Sequence, residues 1–298
     1  MRIATSTVSD NIVRQIQQLG GQQARLQTQV ASGQRIFQPE DDPAAVGRLL
    51  NLETERRQIA QFTRNADRAM QVSQASYGGL VEMKKISDRM TEIGTLGTGT
   101  INTASYFAYA AEANQMIEQA FQLGNTRFGG DYVFAGTAVD APPFVATRDS
   151  QGRITGVTYA GNSNQADINL SETATVKPGT SGATNNSLND FLNRLITLRD
   201  SLNAQDSAAV SANQTNLIAS EDIIVSALAE HGGIEMRIEI NKSQQQSRAE
   251  DLEKLVSAEA DADLPTAIVK LNQIQVAYQA ALQSSANIMR TSLLDFIK

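Results

Sequence analysis

Cysteine and tryptophan are absent from the 298 residues, and histidine occurs once, as His231. Without cysteine there is no disulfide framework, no thiolate nucleophile and no Cys-ligated zinc. A single histidine leaves little room for a His-based metal site or triad, and no nucleophile, base and orienting group stand out elsewhere. The chain is therefore expected not to be an enzyme and to need no cofactor and no metal. Basic runs are missing too. Lys and Arg number 25 against 32 Asp and Glu, a formal net charge of -7, so neither nucleic acid nor an anionic membrane surface is expected as a partner. No apolar stretch reaches the roughly 18 residues of a transmembrane helix. The opening MRIATSTVSDNIVRQIQQLG has no continuous apolar core of a Sec-type signal, so any export is expected to proceed without cleavage.

What is present is a chain 41% hydrophobic, enough for a real core and for two or three domains. Ile12, Ile16, Leu19, Leu26 and Val30 alternate in steps of four and three, with Gln23 at the one polar seam position, which is a heptad pattern. The register ends at Gly33, where GQRIFQPEDDPAAVG interrupts the helix with Pro39 and Pro43. Asp42 stands where an N-cap belongs and Pro43 at the first helical position, while Glu40 and Asp41 add negative charge at the positive end of the next helix dipole. Capping accounts for this acidic cluster without a cation site.

From Pro43 the pattern predicts a helix to about Ile93, roughly 75 Å long at about 1.5 Å per residue. Its seam runs through Ala45, Leu49, Leu52, Ile59, Ala66, Met70, Tyr77 and Leu80, then shifts phase through Met83, Ile86, Met90 and Ile93. A loop is expected over 94–102 and a helix from Ser105 to about Leu123. Between 129 and 182, runs such as YVFAG and ITGVTYAG alternate with Gly, Pro, Asn and Ser, which predicts a small β-rich region with RDSQGRI as a hairpin tip and KPGTSGATNN as an exit loop. GGDYVFAG lacks the Gly-Lys-Ser/Thr of a phosphate loop. Helices are expected again over 187–203, 207–230 and 233–259, with His231 beside Gly232 and Gly233 at a helix C-terminus, where its partial charge favours the dipole.

In the last helix Leu264, Ile268, Leu271, Gln275, Tyr278, Leu282, Ser285, Met289, Ser292 and Phe296 keep four-three spacing, and Pro265 is tolerable in the first turn. Heptad placement reads Tyr278 and Met289 as packing residues. Ala267, Ile274, Ala281 and Ile288 widen the stripe beyond what a two-helix seam needs. The two heptad segments are expected to pair antiparallel and still leave apolar surface wet. Each fully buried Leu, Ile or Phe contributes about 1.5–3 kcal/mol, so copies of the same chain are the expected cover and folding of the ends is coupled to association. A terminal coiled coil of an ordinary dimer would show the same pattern. The fold class expected is mainly α: a long helical coiled-coil rod formed by the N- and C-terminal segments, with a small inserted β-rich domain. The expected division is arms 1–40 and 260–298, a helical rod 41–130 and 187–259, and a β-rich outer domain 131–186.

Three segments, SGQRIFQPEDDPAA, NTRFGGDYVFAGT (125–137) and AYQAALQSSANIMRTSLLDFI, together resemble the bacterial flagellin superfamily. Asp41-Asp42-Pro43 and the ending SLLDFIK look like its hook-associated members. Filament flagellins more often resemble an Asp-Asp-Ala-Ala-Gly run at the first place and tend to finish in Leu-Leu-Arg. The resemblance spans both helical arms and leaves the β-rich region without a counterpart. It implies a structural subunit of the extracellular flagellum, exported unfolded through the type III apparatus and assembled as a homo-oligomeric ring at the hook-filament junction. Its implied partners are a neighbouring hook-associated junction protein, filament flagellin and an export chaperone on the C-terminal arm. The implied assembly seam is Ile12, Ile16, Leu19, Leu26, Val30, Leu264, Ile268, Leu271, Tyr278, Leu282, Met289, Phe296 and Ile297. The turn Pro39, Asp41, Asp42 and Pro43 would set the angle between arm and rod. A filament-forming flagellin and an exported coiled-coil adhesin are the alternatives.

Overall fold

The structure is a computed structural model that describes residues 2–99 and 102–294, with side chains over 10–99 and 102–287. Among the described residues are six helices, α1 (Arg2–Ser32), α2 (Pro43–Gly97), α3 (Thr103–Gly124), α4 (Gly182–Asn203), α5 (Ser207–Ala260) and α6 (Leu264–Leu294). Three antiparallel strand pairs lie between α3 and α4: β1 (Arg127–Phe128) with β2 (Asp131–Tyr132), β3 (Phe144–Arg148) with β4 (Ile154–Tyr159), and β5 (Ile168–Asn169) with β6 (Thr175–Val176). A mainly α fold with a small β insert is the class expected from the sequence. The chain forms two compact units, residues up to Gln58 together with those from Arg248 onward, and Ile59–Ser247.

The helix starts follow from side-chain caps that satisfy amides left without an intrahelical partner. The Ala45 amide donates to Asp42 Oδ1 at 3.0 Å, the Ser105 amide to Asn102 Oδ1 at 2.8 Å and the Thr184 amide to Ser181 Oγ at 3.1 Å. The Ser181 cap starts α4 five residues before the expected Ser187, so the end of KPGTSGATNN is helical. α3 stops at Gly124, where a Cβ would lie 2.8 Å from the Phe144 ring.

In the second unit one core cluster joins Leu80, Met83, Ile86, Met90 and Ile93 of α2 to Ala113 and Ile117 of α3, Leu188, Phe191 and Leu195 of α4, and Val210, Leu217 and Ile224 of α5. Phe134, Phe144, Ile154 and Val157 from the β region insert into that same cluster. β3 and β4 pair Phe144 with Tyr159 and Ala146 with Val157, closed by the expected tip, where Asp149 Oδ1 accepts from the Gln151 and Arg153 amides at 2.9 Å each. α4 holds β4 by its polar side chains. The Asn193 amide donates to the Val157 carbonyl at 2.8 Å and accepts from its N–H at 3.0 Å, and buried Arg199 donates to the Ile154 carbonyl at 2.7 Å.

Two expectations are corrected here. Tyr77 is exposed, not part of the α2 seam; Ser73, Ser76 and Leu80 occupy the buried face. The cause is Gly79, where the Phe134 ring approaches so closely that a Cβ would stand 2.9 Å from it, which fixes the rotation of α2 there. His231 is not at a helix end. α5 runs unbroken through Gly232 and Gly233, because burial of Ile224, Ala227 and Ile238 along the helix outweighs a cost of about 1 kcal/mol per glycine. The imidazole is 2% exposed, its Nδ1 lies 3.0 Å from Ser73 Oγ, and burial pushes its pKa down to about 4.

Candidate assembly interface

The first unit holds both the α1–α2 turn and the α5–α6 turn, and backbone hydrogen bonds stitch the two together. Gly33, at φ +73°, closes α1 in the left-handed conformation that glycine adopts without strain. Gln34 then bridges Asp261 antiparallel, the Arg35 N–H donates to the Ala260 carbonyl at 2.6 Å, and the Ala262 N–H donates to the Gly33 carbonyl at 2.8 Å.

The acidic turn divides its work. Asp42 caps α2, as its place before Pro43 predicted, and its other oxygen lies 3.4 Å from Arg35. Asp41 Oδ2 accepts from the Gln38 and Phe37 amides at 3.0 Å each, while Oδ1 pairs with Arg25 at 2.9 Å. Those amides, aided by Arg25, hold the Asp41 carboxyl below its ordinary range, and the Ala45 amide does the same for Asp42. Asp41 therefore closes the 37–41 loop, a role that its helix-dipole reading missed. Arg48 forks onto Glu259 at 2.8 and 3.0 Å, which lowers the Glu259 pKa and raises that of Arg48. Pro39 is exposed, and Pro43 is the exposed first residue of α2. The turn lies wholly within the first unit.

α1 packs along α6, with Gly20 lying against the Tyr278 ring, 3.6 Å from a Cβ placed there. Ile12, Ile16, Leu19, Gln23, Leu26 and Val30 are all half-buried, the same positions as the heptad seam. On α6 Ala267 and Ser285 are buried, and Leu271, Ile274, Gln275, Tyr278 and Ala281 are half-buried. Leu264, Ile268 and Leu282 are exposed, at 40%, 45% and 43%, and Val269 and Val276 more so. The flank of Ala267, Ile274 and Ala281 is thus the more covered face, and part of the four-three stripe is left open. The side chain of Met289, and Phe296 and Ile297 altogether, lie outside the described residues. From Leu264 to Leu294 the only charged residues are Lys270 and Arg290, so little charge opposes burial of a second face.

Among the described residues no group of three His, Asp or Glu could hold a metal, and no helix is long and apolar enough to cross a membrane. A cavity of about 530 Å³ in the second unit is lined by Val72, Phe128, Tyr132, Ile168 and Pro178, with Arg68 and Asp131 as its only charged groups. That lining offers no acid-base or nucleophilic set.

Residues 3–139 match the family of the bacterial flagellin N-terminal helical region. Hook-associated proteins stand among its relatives: the chain is 24% identical to flagellar hook-associated protein 3 of Escherichia coli (strain K12) over 230 residues, covering 76% of this chain and 67% of that protein. The flagellar filament 41 kDa core protein of Borreliella burgdorferi is 29% identical over 103 residues, 34% of this chain and 31% of that one. The fold is shared with a solved structure of a protein from Vibrio parahaemolyticus (TM-score 0.66, 19% identity, 74% of this chain and all of that one). It is shared also with Bacillus cereus FlgL (TM-score 0.58, 18% identity, 71% of this chain and all of that one).

Proposed function

We propose that this chain is a structural subunit of the bacterial flagellum that self-assembles at the hook-filament junction and connects the hook side to the flagellin filament. The observation that carries this reading is the stripe of Leu264, Ile268 and Leu282, left exposed after α1 has covered the neighbouring face of α6. Apolar side chains left 40–45% exposed on one nearly uncharged helix favour association, each by somewhat under half of the about 1.5–3 kcal/mol that burying a fully exposed Leu or Ile contributes. Relatives carrying the name hook-associated protein 3 support the junction over other flagellar positions. In this reading residues 1–40 and 260–298 are the inner assembly arms, 41–130 and 187–259 the rod and 131–186 the outer face. Ile12, Ile16, Leu19, Leu26 and Val30 seat α6, and the stripe on α6 meets neighbouring copies in the ring. One surface mates with the preceding hook-associated protein and another templates flagellin. The chain acts outside the cell after export without cleavage, and a chaperone covers the C-terminal arm beforehand. Chaperone capture by a chain lacking 255–298, undiminished from full length, would sink that last point.

The test is complementation of a deletion strain. Wild-type chain restores attached filaments, whereas Ile268→Asp with Leu282→Asp leaves the chain exported and flagellin shed into the medium. Full swimming with the double variant would overturn the role of the stripe. The match to a filament core protein favours a filament-forming flagellin as the second reading, which requires the chain along the whole filament.

A further inference from the structure

Within the second unit α2 and α5 run antiparallel, with Asp67 paired to Lys242 at 2.7 Å, Ser73 to His231 at 3.0 Å and Lys84 to Glu221 at 3.3 Å. The apolar packing along this pair is not continuous. One cluster takes α2 from Leu80 onward and α5 up to Ala227, with half-buried Leu228 against it; a second, smaller one takes Ala66 and Ala69 of α2 with Ile238 of α5, and half-buried Met70 and Ile234 pack against it. Between them the buried side chains are Ser73, Ser76 and His231. Both helices carry a glycine pair in this gap, Gly78-Gly79 and Gly232-Gly233. Interpolation between the paired residues sets the two pairs about seven residues apart, roughly 10 Å. Gly79 has a packing reason, the Phe134 ring, but around Gly78, Gly232 and Gly233 nothing stands within 4 Å of a Cβ position. Finally, one carboxylate oxygen of Glu235 is shut off from solvent without a hydrogen-bond partner among the described residues.

We propose that residues 71–79 of α2 and 229–235 of α5 form a built-in opening point of the helix pair. There the two helices bend and expose backbone to water together while the clusters on either side stay closed. Each contributing feature weakens the same place: glycine disfavours helix, small polar side chains bury little apolar area, and an unpaired buried oxygen is relieved by water. Three glycines with free space at Cβ are unexplained by packing and are accounted for by a need for compliance. In a subunit that joins two different neighbours, the opening point absorbs the mismatch between them. That use rests on the proposed function, whereas the opening itself is a property of the isolated chain.

Hydrogen exchange followed by mass spectrometry on the full-length monomer tests it. Peptides covering 71–79 and 229–235 exchange at least tenfold faster than those covering 80–93 and 214–226. Gly-to-Ala in a helix interior favours the helix by about fivefold per site, so Gly232→Ala with Gly233→Ala slows exchange by about 25-fold. The slowing must appear in 71–79 as well, a segment that carries no substitution. Equal protection of all four segments overturns the proposal. So does slowing confined to α5, which would reduce the effect to local helix propensity.

Discussion

Acidification from pH 7.5 to 4.5 is predicted to destabilise the second unit through one side chain. His231 is the only histidine in the chain, is 2% exposed, and is held by burial at a pKa of about 4 against an ordinary 6.5. Between those two values the unfolded chain carries a proton on this imidazole and the folded chain does not. The stabilisation it confers is therefore complete above about pH 6.5 and is lost as the pH falls toward 4. At 1.36 kcal/mol per pH unit the full loss is roughly 3 kcal/mol. The carboxyls of Asp41, Asp42, Glu112 and Glu259 are all lowered from their ordinary values, so their losses come at lower pH. Urea unfolding followed by circular dichroism across this range should show wild type weakening while His231→Gln, which can keep a hydrogen bond to Ser73, stays flat. The resonances of this one imidazole should hold their neutral positions down to about pH 5 and move only as the pH approaches 4. A resonance that titrates near pH 6.5 in the folded protein, or a wild-type stability that does not change between pH 6.5 and 4.5, refutes the reasoning.

Gly124→Ala should cost about 1–3 kcal/mol in thermal or urea unfolding, since its Cβ would stand 2.8 Å from the Phe144 ring in a filled core; a neutral effect would mean that the ring moves freely. Arg199→Ala strips the Ile154 carbonyl of its 2.7 Å donor and should cost about 1–3 kcal/mol, with faster amide exchange in β4. Pro43→Ala should impair junction assembly and swimming by loosening the start of α2, and unchanged motility would remove that turn from the mechanism.

The periodic parts of the fold were legible because one residue type at a fixed spacing reports one face. Ile12 through Val30 are half-buried at every seam position, and Leu80, Met83, Ile86, Met90 and Ile93 are buried at every position of the shifted phase. Caps were legible for the same local reason, as Asp42 shows. The errors came where a contact distant in sequence decides. Tyr77 belongs to the heptad arithmetic, but Phe134 arriving over Gly79 turns it to solvent. Gly232-Gly233 is a stop signal locally, and tertiary burial on both sides carries α5 through it. The double hydrogen bond of Asp41 to Phe37 and Gln38, and the bridge from Gln34 to Asp261, carry no sequence period at all. The width of the α6 stripe was visible, but which half α1 would cover was not.

Immunogold labelling of isolated flagella with antibody to this chain decides the central claim. A junction subunit gives a narrow band at the filament-proximal end of the hook. Label along the whole filament, or flagella that carry none, contradicts it.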